Sequence, residues 1–325
     1  MMENLETRGY PLSQQPLRLV IATGLSLLLP FCALLYVCSR IMLNEFMWSE
    51  VGVLIGFFIL GLLGQGLGHH RLFAHRSFRA NRGLKIFLGI CGCASGIGPV
   101  IWFSALHRRH HRFTDTPKDP HTPHISGDGF LGSLKVLWMS AFGFSLRFGN
   151  YAYYLMFPER DKDGISTEFR ASVRDLTSDR DLMLIDKLYL VWFLVSFSLA
   201  GLVMVAITGD VKDFWTGFIW GGAARMSCNQ LNFGLINIFG HSTGDQPYES
   251  GDESRNLYWF APISGGETLH NNHHAFPWTA KAGLTWWQID LNYYFLILFE
   301  KLGWATDVRV PTEAELASRR RPASG

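Results

Sequence analysis

The run LYLVWFLVSFSLAGLVMVAIT, residues 188–208, holds no charged side chain. A helix needs about 20 predominantly apolar residues to cross about 30 Å of hydrocarbon, so this stretch reads as a membrane span. Three more runs have the same character. Residues 19–38 are uncharged, residues 51–68 are uncharged and extended upstream by Phe46, Met47 and Trp48, and residues 214–239 are broken only by Arg225. Pro30 in the first run is tolerable in a membrane helix and suggests a kink. That run is too long for a cleavable signal peptide and lacks a small-residue cleavage site. The expected organisation is a cytosolic segment (1–17), a membrane domain (18–310) with spans at about 19–38, 48–68, 188–208 and 214–239, and a flexible tail (311–325).

Composition agrees. Of 325 residues only 17% are charged and 14% are aromatic, against about 25% charged in soluble domains. With 29 Lys and Arg against 27 Asp and Glu the net charge is +2, which argues against a nucleic-acid binder. Disorder is excluded. The five cysteines, Cys32, Cys38, Cys91, Cys93 and Cys228, form no CxxC pair and read as reduced thiols.

Orientation follows the basic residues near span ends. Arg8 and Arg18 precede the first span, Arg71, Arg76, Arg79, Arg82, Lys85, Arg108, Arg109 and Arg112 follow the second, and Arg319, Arg320 and Arg321 close the chain. Both termini and the large middle loop are therefore expected on the cytoplasmic side. Two further apolar stretches, 84–105 and 130–157, would separate the histidine clusters if either crossed once. Both read as interfacial or re-entrant. Residues 158–187, rich in both charges, read as a solvated helical segment.

The twelve histidines fall in four places: His69, His70 and His75; His107, His110, His111, His121 and His124; His241; and His270, His273 and His274. His107-Arg108-Arg109-His110-His111 and His270-Asn271-Asn272-His273-His274 share an i, i+3, i+4 spacing that puts three imidazoles on one helix face. His70 and His75 are five apart, and Asn237 and His241 four apart. Imidazole suits Zn, Cu, Fe and Ni, and the near absence of cysteine or carboxylate in these boxes disfavours Fe–S and Ca sites. Eight or nine imidazoles exceed one metal's capacity, so two metals are implied. Zinc does no redox chemistry, and an all-nitrogen pair beside a membrane points to iron and O2.

His70-Arg71-Leu72-Phe73-Ala74-His75-Arg76 and the two HxxHH stretches resemble the three histidine boxes of membrane fatty-acyl desaturases of the acyl-CoA (delta-9) type. The likeness extends to Asp119-Pro120-His121, to Gly251-Asp252-Glu253-Ser254-Arg255-Asn256 and to Ala275-Phe276-Pro277, and covers about residues 50–310. It implies an all-α integral membrane protein in which four transmembrane helices carry a cytosolic helical cap over a di-iron site. It also implies two iron ions, O2 as co-substrate, and the ligand set His70, His107, His270 and His273, with a water on Asn237, for one iron. His75, His110, His111, His241 and His274 would serve the other. His121 and His124 are left out, and His69 is expected to hydrogen-bond behind the ligands. Trp102, Phe103, Trp138, Trp259 and Phe260 are candidates for an acyl tunnel.

The resemblance implies an O2-dependent desaturase that places a double bond in a fatty acyl chain. No His-Pro-Gly-Gly haem motif is present, so electrons come from a separate donor such as ferredoxin or cytochrome b5 with its reductase. The expected location is a bacterial inner membrane with the active site facing the cytoplasm. Trp102-Phe103-Ser104-Ala105-Leu106 lacks the Arg-Asp of animal acyl-CoA enzymes, Gly265-Gly266-Glu267-Thr268-Leu269 differs from the usual Gly-Glu-Gly, and segment 127–187 is long. These departures leave acyl-CoA, acyl-carrier-protein and acyl-lipid substrates open, and acetylene formation with them. Hydroxylation is a second outcome on the same scaffold. A metal-binding transporter or sensor would place ionisable residues along a path through the membrane, and the spans are nearly free of them.

Overall fold

The computed structural model describes residues 17–116, 118–120 and 167–322. Arg8, His121, His124, Trp138, the apolar stretch 130–157 and the last three residues lie outside them. Helices dominate. Helix α1 (Leu17–Met42) contains Pro30 without ending there. Helix α2 (Trp48–Leu62) runs straight into a π-helical stretch, Leu63–Ala74. Then follow α3 (Arg82–Ala94), α4 (Val100–Phe113), three short helices α5 (Thr167–Ser172), α6 (Arg174–Thr177) and α7 (Arg180–Lys187), and α8 (Tyr189–Thr208). The chain continues through α9 (Phe214–Gly217), a second π-helical stretch (Phe218–Ala224), α10 (Arg225–Gly240), α11 (His270–Ala275), α12 (Leu291–Lys301) and α13 (Glu313–Arg319).

Among the described residues three helices are long and apolar enough to cross a membrane: Gly24–Met42, Trp48–Ala74 and Tyr189–Thr208. Leu25, Leu28 and Leu29 on α1, and Leu190, Leu194 and Leu202 on α8, are exposed. Water tolerates so large an apolar patch poorly, whereas hydrocarbon does not penalise it. Glycine lets the backbones meet: a Cβ on Gly64 would overlap the Gly92 amide, so the π-helical stretch and α3 touch main chain to main chain.

The fourth expected span is helical from Phe214 to Gly240 but is more polar than the other three. Arg225, Ser227, Asn229, Gln230, Asn232 and Asn237 are all buried, turned into protein rather than outward. Arg225 donates to the carbonyls of Gly221 (2.9 Å) and Ala94 (2.7 Å) and to Ser196 Oγ (2.9 Å).

Stretch 84–105 turns back on itself instead of running through. The outer ends of its two helices are tied to one segment, Lys85 to Asp179 and Asp181 and Arg108 to Asp175. The turn between them is tied to Asp186, which accepts from the Ile101 amide (2.9 Å). Its carbonyls are met by side chains from other helices: Ala94 by Arg225, Gly96 by Gln230 (3.1 Å) and Gly98 by His69 (3.1 Å). Non-helical backbone away from water needs such partners.

Two expectations are corrected. The part of 158–187 within the described residues is helical but not solvated throughout: Phe169, Val173, Leu176, Leu182 and Ile185 are buried against the α3–α4 hairpin. Its acidic residues Glu168 and Asp175 instead pair with Arg109 and with Arg76 and Arg108, beside the boxes. The tail also has structure. A capping box of Thr312 and Glu315 starts α13, Leu316 is buried, and Arg319 donates to the Ala275 carbonyl at the end of α11 (2.8 Å). Strand β1 (Arg79–Ala80) pairs antiparallel with β2 (Ala305–Thr306), Arg79 opposite Thr306, and so ties α12 to the first box.

Candidate metal centre

The first box sits in the π-helical stretch. The His75 amide donates to the His70 carbonyl at 3.0 Å, an i→i+5 bond that stacks residues five apart. On an α-helix they would lie about 140° apart. In the π register they converge, with ring centroids 4.9 Å apart.

The second and third boxes are α-helical, and each splits. Residues four apart stay nearly in line, while the residue at i+3 falls to the other side. His107 and His111 turn their Nε2 atoms to one point, 3.0 Å apart, and His110 turns away to His274 (3.3 Å). In α11 the assignment is reversed. His270 and His274 stay together, ring centroids 4.4 Å apart, and His273 crosses to His70 and His111 (each 2.9 Å). His241, just past α10, completes the second point, 3.0 Å from His270.

All nine predicted histidines are thus brought together in two groups: His70, His75, His107, His111 and His273, and His110, His241, His270 and His274. The partition differs from the expected one at three residues. His75 and His111 join the first group because their Nε2 atoms lie 2.7 and 3.0 Å from His107, and His270 joins the second.

The donor set fits a metal pair. A metal–imidazole bond of about 2.1 Å puts ligands at right angles about 3.0 Å apart, and the Nε2 atoms neighbour one another at 2.7 to 3.3 Å. So many ring nitrogens cannot satisfy one another as donors and acceptors, whereas a cation at each centre satisfies all of them. Burial, reinforced by the neighbouring imidazoles, pushes His75, His107, His111, His270, His273 and His274 well below the ordinary histidine range. They are neutral and carry a free lone pair. Burial also lowers His110, but the Asp119 carboxylate outweighs it and raises that group.

Behind the histidines stand four carboxylates that the sequence left without a role. Asp119 accepts from His110 Nδ1 (2.9 Å), Asp115 from His241 Nδ1 (3.2 Å) and Asp252 from His274 Nδ1 (2.7 Å), and Glu267 binds His70 Nδ1. Such contacts fix the tautomer and aim Nε2 at the shared centre. Each carboxylate is itself held. Asp115 accepts the Glu253 amide (2.8 Å), Asp252 accepts Ser250 Oγ (2.6 Å), and Glu267 accepts Arg71 and Asn292 (2.9 Å each). Burial alone would raise Glu267, yet Arg71 and His70 hold its carboxyl below the usual range. Asp119, Asp252 and Glu267 lie in stretches already singled out beside the boxes, so adjacency was a usable signal. Asp115 had none.

Asn271 and Asn272, the residues between the histidines of the third box, lock α11. Asn271 bonds both main-chain groups of Tyr248 (2.9 and 3.0 Å), and Asn272 bonds Asn256, the Ala282 carbonyl and Gln288. His69 joins neither group; fully buried, it holds the Gly98 carbonyl. Asn237 is buried with its Nδ2 unpartnered and lines a cavity of about 30 Å³ with His70, His107, His270, Phe103 and Phe233, room for a water molecule. Of the tunnel candidates, Phe103 stacks on His107 (centroids 5.7 Å) and Trp102 and Phe260 are buried, whereas Trp259 is exposed.

Comparison with known proteins agrees with this geometry. Residues 47–299 match a family model described as fatty acid desaturase. A hex-5-enoyl-[acyl-carrier protein] acetylenase from Moorena producens (strain JHB) is 36% identical over 83% of this chain and 80% of its own. Delta-9 acyl-lipid desaturase 2 from Arabidopsis thaliana is 36% identical over 86% of this chain and 80% of its own. An sn-1 stearoyl-lipid 9-desaturase from Anabaena variabilis is 33% identical over 82% and 86%.

Proposed function

Because the chain belongs to the fatty acid desaturase family, we propose that it is a di-iron enzyme that uses O2 to introduce a double bond into a fatty acyl chain. The observation that carries this reading is the convergence of nine imidazole Nε2 atoms on two points. Two irons bound there supply O2 reduction with two external electrons, and with it the oxidant needed to remove two hydrogens from an unactivated methylene pair. The protein's own residues do the rest. His70, His75, His107, His111 and His273 would hold one iron and His110, His241, His270 and His274 the other. Asn237 would hold a water in the cavity that His70, His107 and His270 line. Phe103, Phe233 and Ile236 close one side of the small adjoining cavity with apolar side chains, which would limit the entry of bulk water to the site.

The wider reading has four spans, with Phe214–Gly240 as the fourth, its polar residues turned inward as a bilayer requires. The basic residues beside the boxes support a reading in which both termini and the site face the cytoplasm, with a bacterial inner membrane as the proposed location. Electrons come from a separate carrier such as ferredoxin or cytochrome b5. The acyl chain rides on a lipid, on acyl carrier protein or on coenzyme A, the first two being carriers in the names of the relatives given above. Acetylene formation from an existing double bond is the second reading, favoured by the relative named an acetylenase.

The test is mass-spectrometric profiling of acyl groups in bacteria expressing the protein, against a His273→Ala control. New double or triple bonds that depend on His273 support the reading and locate the bond. Products 16 Da heavier without loss of two hydrogens overturn it in favour of hydroxylation.

A further inference from the structure

The two histidine groups are backed unequally. In the four-histidine group, His110, His241 and His274 each present Nδ1 to a carboxylate, Asp119, Asp115 and Asp252. In the five-histidine group, Glu267 on His70 is the one carboxylate bonded to a ring nitrogen among the described residues, and it shares its charge with Arg71. The surroundings differ too. All four histidines of the smaller group are buried, whereas His75 and His111 of the larger one are half-buried.

A carboxylate behind an imidazole makes its other nitrogen a stronger donor and adds negative charge near the metal. In a buried setting that charge is weakly screened and favours the more highly charged cation. Resting on the di-iron reading above, we propose that Asp115, Asp119 and Asp252 make the four-histidine site the one that binds iron more tightly and gives up its electron first. The five-histidine site keeps its iron ferrous after the first oxidation. Asp115, Asp119 and Asp252 are then positioning residues that set the order of electron loss through their histidines.

The experiment uses the full-length protein loaded with two ferrous ions of iron-57 under anaerobic conditions and titrated with ferricyanide. Each ferricyanide accepts one electron to become ferrocyanide and leaves one ferric ion behind. After one equivalent, Mössbauer spectra are expected to show one iron converted and the other untouched. Asp119→Asn and Asp252→Asn should move the first step to higher potential, and Glu267→Gln only the second. Ferrozine should draw one iron from each aspartate variant about 10- to 100-fold more readily than from the parent, the usual effect of losing such a partner. Conversion of both irons in parallel at every dose in the unaltered protein overturns the proposal without any variant. So does a first step that follows Glu267→Gln. Protein that takes up no iron overturns the di-iron reading itself, an outcome distinct from two equivalent irons.

Discussion

The His75 amide donates to the His70 carbonyl five residues back, at 3.0 Å. That bond lets a HxxxxH spacing serve one histidine group. The two HxxHH boxes solve the opposite problem, each sending its i, i+4 pair to one centre and its i+3 histidine to the other. The pair and the single histidine trade places between α4 and α11, so the two centres are bridged twice by one helical turn of backbone. A shift of either helix disturbs both groups.

Inserting one alanine after Leu72 would put His70 and His75 six apart and carry His75 away from the five-histidine group. The expected result is loss of iron from that group while the four-histidine group keeps its own. Leu72→Ala, which preserves the register, should keep both. Metal analysis of the purified proteins decides, and retention of both irons by the insertion variant would show that the π register is not required.

The observed partition has a direct test. His241→Ala with His270→Ala strikes one group and should leave one iron, whereas His70→Ala with His270→Ala strikes both and should leave little. The partition first expected from the family likeness, with His270 beside His70, reverses these outcomes. Iron per chain in the two double variants separates them.

The nine clustered histidines were legible because imidazole is scarce and its spacing is periodic, and three spans because uncharged runs have few other uses. How the histidines divide was not legible. It depends on how α4 and α11 face each other, a matter of packing that no single segment encodes. The π-helical stretch leaves no mark in an apolar pattern. Asp115 is an ordinary polar loop residue until the fold brings it to His241. The fourth helix was legible in length, but the inward turn of Asn229, Gln230 and Asn237 needs the neighbours that bury them. Phe169, Leu176 and Ile185 went unnoticed among charges because their common face is spread over three short helices.

Arg71 donates to both Glu267 and Asp290 and to the Ala280 carbonyl while buried. Arg71→Ala would leave two carboxylates buried without their cation, and removing one partner of a buried pair costs about 3–5 kcal/mol. Thermal unfolding in detergent should show that loss. Arg71→Lys should recover only part of it, since an ammonium cannot hold two carboxylates with a planar fork. An alanine variant as stable as the parent would mean that Asp290 and Glu267 find other partners.

Gly64 and Gly52 lie on the same apolar run but in different surroundings. A methyl group on Gly64 meets the Gly92 backbone, which cannot rotate aside, whereas one on Gly52 meets nothing within 4 Å. Gly64→Ala should part the π-helical stretch from α3 and lower the yield of folded, iron-loaded protein. Gly52→Ala should be neutral or stabilising by about 0.5–1 kcal/mol, the usual gain for alanine over glycine in a helix. Equal behaviour of the two in a thermal unfolding series would refute the close crossing.

Asp186 links stability to pH. One carboxyl oxygen accepts the Ile101 amide at the start of α4, and the other has no hydrogen-bond partner. Burial outweighs the main-chain hydrogen bonds and pushes the group up to about 7 from 3.8. A carboxyl raised on folding prefers its proton in the folded state. Its contribution is therefore complete below the unfolded value near 4 and is lost as pH rises through about 7. At about 1.4 kcal/mol per unit the whole swing is at most about 4 kcal/mol. Asparagine keeps the acceptor for Ile101 and never ionises. Asp186→Asn should match the parent near pH 4 and exceed it in thermal stability at about pH 8, the gap opening between those limits. A gap that is constant across the range would mean that Asp186 ionises in the folded protein as it does in water.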